Sequence, residues 1–220
     1  MERYFVLDNT NTYLDWNLLI TSKEITPPEL NTNYVEIGGM SGSLDLSEAL
    51  TGEITYKDCT ISASFWTDHG SRNDRAVLIQ NITRTLHGRK IKIIEPDDPN
   101  HYMIGRVKIG QYENVIAYST INMEFICEPW KYAIAESERI VSCDATRRIE
   151  CVINNNGIKT LCPDVVVTGD ITLSVGDDSI VLTTGKYKLS DLKLYRGANI
   201  VGVYGFGTVR FIYREADLIV

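Results

Sequence analysis

The segment Lys57-Asp58-Cys59-Thr60-Ile61-Ser62-Ala63-Ser64-Phe65-Trp66 alternates cleanly, with Cys59, Ile61, Ala63 and Phe65 on one side and Thr60, Ser62 and Ser64 on the other. A period of two over that length makes a β-strand with one buried face. Working outward, Val115–Cys127 repeats the pattern. Val115, Ala117, Ile121, Met123, Phe125 and Cys127 share one side, and a more polar set (Ile116, Tyr118, Thr120, Asn122, Glu124, Ile126) takes the other. Between these strands the period changes. Leu78, Ile82 and Leu86 recur every four residues and Ile79 widens the stripe, which predicts a helix over Arg72–Leu86. Ser71 is its N-cap, Asp74 the matching acid of a capping box, and Gly88 its stop. Arg72, Arg75, Gln80, Asn81 and Arg84 are expected on the outer face. Strands Arg89–Glu95 and Tyr102–Ile109 follow, joined by the turn Pro96-Asp97-Asp98-Pro99-Asn100.

The texture changes after Pro129. Trp130–Arg148 is mixed and contains Ala133–Arg139, which has no clear period. Beyond it, eight of the 16 glycines separate short β-branched runs: Val165–Val167, Ile171–Val175, Ile180–Thr184, Asn199–Val203 and Val209–Tyr213. Gly176-Asp177-Asp178 and Thr184-Gly185-Lys186 read as hairpin turns. Strands at that spacing signal a small sandwich. The expected class is therefore mainly β, with one helix at about 72–87. The expected layout is a domain over 1–133, a connector over 134–150 and a β-sandwich over 151–220.

Charge and composition narrow the function. The chain has 220 residues, 22 basic and 29 acidic side chains, and a net charge of −7; 44% of its residues are hydrophobic. That composition suits a folded chain and excludes wholesale disorder. Duplex DNA and anionic membranes need clustered cations, and the pairs Arg89-Lys90 and Arg147-Arg148 are short. Met1–Asn9 is too charged for a signal peptide, and no apolar run reaches the ~18 residues of a membrane span. The five cysteines (Cys59, Cys127, Cys143, Cys151, Cys162) are odd in number and form no C-x-x-C pair, so they read as reduced structural thiols. Whether Cys143 and Cys151 face each other across a hairpin is open at this level.

No catalytic, cofactor or metal set emerges. Asp68, His69 and Ser71 have triad residue types without a nucleophile elbow. His69, His87 and His101 lack ligand spacing. The loop Glu95, Asp97, Asp98, Asn100 offers oxygens to a calcium ion but is interrupted by prolines and reads as a solvated turn. Gly202, Gly205 and Gly207 have no following helix or P-loop lysine and read as strand bends. Tyr187, Tyr195, Tyr204, Phe206 and Tyr213 serve either a sandwich core or a sugar-stacking face. The segment Gly38–Gly52 is long for a loop inside a domain and carries Met40, Leu44, Leu46 and Leu50. Four large apolar residues argue against disorder; a partner subunit or the parent sheet satisfies them equally well.

Gly42-Ser43-Leu44-Asp45-Leu46-Ser47-Glu48-Ala49-Leu50-Thr51-Gly52, followed by Tyr56–Phe65, resembles the N-terminal domain of siphophage distal tail (Dit) proteins and related prophage tail components. The capped helix after Trp66, Glu128-Pro129-Trp130, Asn154-Asn155-Asn156-Gly157 leading to Pro163 and Val165–Val167, and the ending Gly207–Arg214 fit the same family. The resemblance implies a non-enzymatic hub in the virion tail tip, assembled in the bacterial host cytoplasm. In such a hub, N-terminal β-sandwich-plus-helix domains build a six-membered ring between tail tube and tail-tip proteins, and galectin-like C-terminal sandwiches project outward, where some relatives anchor receptor-binding proteins. It also implies that Gly38–Gly52 grips a neighbouring copy, making Met40, Leu44, Leu46, Leu50 and Tyr56 interface residues. DNA would pass through the ring without specific binding, so its channel face is expected to be neutral or acidic. The alternative reading is a carbohydrate-binding sandwich protein of a cell-surface adhesion complex.

Overall fold

A computed structural model describes residues 4–49, 51–144, 147–176 and 178–220. The chain forms two units. One runs to Lys131 and takes back Leu218–Val220, and the other is Tyr132–Asp217.

The first unit contains β1 (Val6–Leu7), β2 (Thr10–Asn11), β3 (Leu19–Thr26), β4 (Tyr34–Glu36), β5 (Ser43–Asp45), β6 (Cys59–Thr67), α1 (Arg72–Leu86), β7 (Lys90–Ile94), β8 (His101–Asn114) and most of β9 (Ser119–Ala133). Its main sheet runs β2-β1-β7-β8-β9-β6-β3. Strand β6 behaves as its alternation dictates: Cys59, Ile61, Ala63 and Phe65 are buried, facing Cys127, Phe125, Met123 and Ile121 of β9 in register. Burying an aromatic or branched aliphatic side chain of this size contributes about 2 kcal/mol. The sheet must curl to bury these faces against each other. Phe5, just before β1, meets Phe65 of β6 and Phe125 of β9 at ring-centroid distances of 5.9 and 5.5 Å, although three strands lie between β1 and β6 in the sheet order. An ion pair also pins edge strand β3 across the curl to the end of β7. Lys23 of edge strand β3 pairs with Glu95, just past β7, and with Asp97 at 2.7 Å.

Three details differ from the expectations. The β9 strand begins at Ser119 and not at Val115, because the Val115 N–H turns back to the Tyr118 carbonyl at 3.0 Å. It also runs through Pro129, which lies beyond the last β6 partner, Cys59 opposite Cys127; there the Pro129 carbonyl accepts the Ile219 N–H at 3.0 Å. Helix α1 has the expected bounds and a complete capping box, but its buried stripe is Arg75, Ile79, Ile82 and Leu86, with Leu78 at the margin. Arg75, expected to face outward, is 2% exposed. Its guanidinium donates to Ser119 Oγ at 3.0 Å and to the carbonyls of Gly70, Val115 and Ile116 at 2.7, 2.8 and 2.8 Å. A planar fork with four acceptors tolerates burial where an isolated charge does not.

The second unit holds β10 (Ser137–Asp144), β11 (Ile149–Asn155), β12 (Asp164–Val175), β13 (Asp178–Leu182), β14 (Gly185–Lys188), β15 (Gly197–Tyr213) and the start of β16 (Ala216–Leu218). Residues 134–150, read from the sequence as a connector, thus contain β10, which pairs with β15 from Ser137 opposite Tyr213 to Asp144 opposite Phe206. Strands β12 and β15 are the spine of the unit, and each serves twice. The first half of β15 pairs β11 and its second half pairs β10; the first half of β12 pairs β14 and its second half pairs β13. The halves meet at a bend where Gly205 and Gly207 take φ values of +133° and +139°. A Cβ there would strike the carbonyl oxygens of Asp170 and Thr168. Folding both long strands at this bend brings the halves into two layers around one core. Val165, Val167, Val209 and Phe211 come from one side of the bend, Ile171, Leu173, Val201 and Val203 from the other.

Candidate assembly surface

The strands β4 and β5 pair only with each other among the described strands. They form the end of an arm rooted where Leu30 bridges Tyr56. There the Asn31 N–H donates to Thr55 O at 2.9 Å, the Lys57 N–H donates to Glu29 O at 2.8 Å, and the Lys57 ammonium meets the Glu29 carboxylate at 2.9 Å. Inside the arm, Val35 stands opposite Leu44, Tyr34 opposite Asp45 and Glu36 opposite Ser43. Alternation therefore gives it two faces, one carrying Val35 and Leu44 and the other Tyr34, Glu36, Ser43 and Asp45. Asp45 accepts from the Ser47 hydroxyl and N–H at 2.6 and 2.9 Å, which holds its carboxyl below the usual range. The Ser47 hydroxyl in turn accepts the Asn33 N–H at 2.8 Å. These bonds give the arm a defined shape without covering it. Tyr34, Val35, Ile37, Met40 and Leu44 are between 40 and 59% exposed. An isolated two-stranded ribbon is marginal in water, and this one leaves much of its apolar surface bare.

Of the residues singled out in the sequence, Met40 and Leu44 lie exposed on the arm, Leu46 is partly buried, and Leu50 lies outside the described residues. Tyr56 is at the root, partly buried, with its ring edge-to-face on Trp130 at 5.6 Å. The residues missed were those of β4. The alternating runs Val35-Glu36-Ile37 and Leu44-Asp45-Leu46 on either side of a glycine-rich turn carried that hairpin signal.

A second exposed feature is the outer face of β7, β8 and β9. Lys90, Lys92, Arg106 and Lys108 point away from the core, with Ile126 and half-buried Ile104 among them. Lys90 pairs with Glu128 at 2.5 Å and Lys108 with Glu124 at 2.8 Å. The Lys92 ammonium sits 4.7 Å from the Tyr102 ring centroid, and Arg106 donates to the Gly88 carbonyl. Among the described residues no carboxylate pairs with Lys92 or Arg106.

The other candidate groups are engaged elsewhere. The Ser71 hydroxyl donates to Asp74 at 2.7 Å, which keeps that carboxyl below its usual range, while the His69 N–H donates to Thr67 Oγ1. In the acidic loop, Glu95 and Asp97 hold Lys23, and Asp98 meets Lys131 and His101 at 2.8 and 2.7 Å. Burial works against the charged form of Asp98, yet its bonds to Lys131 and His101 prevail and lower its pKa. Among the described residues no three His, Cys, Asp or Glu side chains are grouped to hold a metal, and no helix is long and apolar enough to cross a membrane. All five cysteines are free. Cys59 and Cys127 stand opposite each other in the core, and burial pushes their thiols up to about 11 and about 12. Cys143 and Cys151 lie on different strands, opposite Gly207 and Val201 of β15. The aromatic set divides. Tyr187 and Tyr213 pack against the second core, whereas Tyr195, Tyr204 and Phe206 remain exposed.

No protein-family model matches the chain, and no curated protein matches it. Among solved structures it is similar to the SPP1 Dit protein, whose crystal structure is described as a paradigm of the hub adsorption apparatus in phages infecting Gram-positive bacteria. The TM-score is 0.71 at 14% sequence identity, over 98% of this chain and 99% of that one. The two proteins share a fold. The likeness to Dit spans both units, so it agrees with the resemblance read from ordered sequence features across the chain.

Proposed function

We propose that this chain is a structural protein of a phage tail: a distal hub whose copies close a ring of six, join the tail tube to the tail-tip proteins and enclose the DNA channel. The observation that carries the reading is the match to the SPP1 Dit hub protein over nearly the full length of both chains. The exposed arm supports it independently, because a ring needs each copy to present a projecting element to a different surface on the next. In this reading the arm residues Met40, Leu44 and Leu46 are covered by a neighbour, the second unit carries attachment points for receptor-binding proteins, and the chain acts without catalysis. Its place is the virion tail tip, after assembly in the host cytoplasm. Light scattering on the size-exclusion peak, with negative-stain images, tests the ring. The expected species has six times the 24.8 kDa chain mass and six-fold views. A monomer at every accessible concentration overturns the reading.

A further inference from the structure

The arm and the β7–β8 face are complementary in charge and in apolar pattern. Between Asn31 and Thr55 the chain has four acids, Glu36, Asp45, Glu48 and Glu53, and no lysine, arginine or histidine. A segment of 25 residues thus carries a charge of −4 in a protein whose total is −7. The cations of β7 and β8 outnumber the two carboxylates of β9 that they meet. The apolar groups match as well. On the arm, Tyr34 shares a face with the acids Glu36 and Asp45. The sheet has Ile126 exposed beside Arg106, a placement that follows from Gly105 lying against Cys127 and Gly110 against Asn122. Tyr34 is 59% exposed in the single chain, so its own body does not cover it.

We propose that the outer face of β7–β8, with Lys92 and Arg106 at its centre, is the surface on which the arm of a neighbouring copy docks, Glu36 and Glu48 meeting these cations while Tyr34, on the same face of the ribbon as Glu36, covers Ile126. The inference rests on the ring reading above and adds the acceptor surface to it. Opposite charges placed this way select one partner surface and one orientation, because the same arm on an acidic face is repelled. A small contribution from each pair suffices, since it repeats at every junction of the ring.

A charge-reversal mixing experiment tests it. One variant carries Lys92→Glu and Arg106→Glu, the other Glu36→Lys and Glu48→Lys. All four side chains are exposed, and circular dichroism melting checks that both variants fold. Each variant alone sets like charges against each other and should need at least about tenfold more protein to assemble. An equimolar mixture sets opposite charges at every junction of an alternating ring, and should assemble at close to the wild-type concentration. Wild-type rings together with unimpaired assembly of the Lys92→Glu, Arg106→Glu variant overturn this inference and leave the ring reading standing. Two impaired variants that fail to rescue each other also overturn it. Retention of duplex DNA by wild-type rings through Lys92 and Arg106 would make the face a nucleic-acid contact instead. Absence of any wild-type oligomer removes the ring reading itself.

Discussion

Arg75 shows what a single residue contributes here and what its sequence position conceals. It holds the turn between β8 and β9 from below. That turn is tied to the helix start by reciprocal bonds between Arg72 and Asn114 at 3.1 and 3.0 Å, and Ser119 donates to Asn114 at 2.7 Å. The result is a rigid turn with Ile116 86% exposed at its tip. Arg75→Ala leaves the carbonyls of Gly70, Val115 and Ile116 and the buried Ser119 hydroxyl without their donor. The expected loss is about 3 kcal/mol, read as a lower urea midpoint at unchanged slope. Arg75→Lys should recover only part of it, since an ammonium cannot reproduce the fork. A variant as stable as the wild type would mean that water replaces the guanidinium. Sequence periodicity assigned Arg75 to the solvent side because hydropathy counts charge and not acceptors. Two of the three carbonyls that satisfy it, those of Val115 and Ile116, lie about forty residues away in the chain.

Among elements, legibility follows how one-sided the burial is. Strand β6 and helix α1 each have one apolar face and one polar face, and both were readable. Strands β1 and β2 have two residues each, too few for a period. Strand β3 places Lys23 opposite buried Ala63, which breaks its pattern. That lysine is tolerated because Glu95 and Asp97 receive it, bonds that outweigh its desolvation and raise its pKa. In the second unit the glycine-spaced β-branched runs marked the strands, and Gly205 and Gly207 were read as bends. What stayed hidden was that β12 and β15 pass through both layers, which depends on pairing between distant segments. The bend glycines make this testable. Gly205→Ala or Gly207→Ala places a methyl against the Asp170 or Thr168 carbonyl in backbone that L residues avoid. Each should cost about 3 kcal/mol and lower the melting temperature of the second unit. Gly176→Ala, also at positive φ but with open space around its Cβ position, should cost about 1 kcal/mol. Equal effects at all three positions would show that conformation alone, and not the close approach of β12 to β15, decides the bend.

At the scale of the whole molecule, a net charge of −7 averages an acidic arm with a basic sheet face, and the average alone conceals the use of either. A ring that lets DNA pass must not leave cations exposed along its path, because a polyanion is held by clustered lysine and arginine whatever the sequence. Docking the arm on β7–β8 would remove that hazard while closing the ring. The assembled protein should therefore leave a short fluorescein-labelled duplex free at about 150 mM salt, as measured by anisotropy. A variant with Glu36→Gln, Glu48→Gln and Glu53→Gln uncovers the face without reversing it and keeps the Asp45–Ser47 bonds that shape the arm. It should bind the same duplex weakly. With two cations, Lys92 and Arg106, left without a carboxylate among the described residues of the face, doubling the salt should weaken that binding about 3.5-fold. Binding by the wild-type protein as tight as by this variant would mean that the arm does not shield the face.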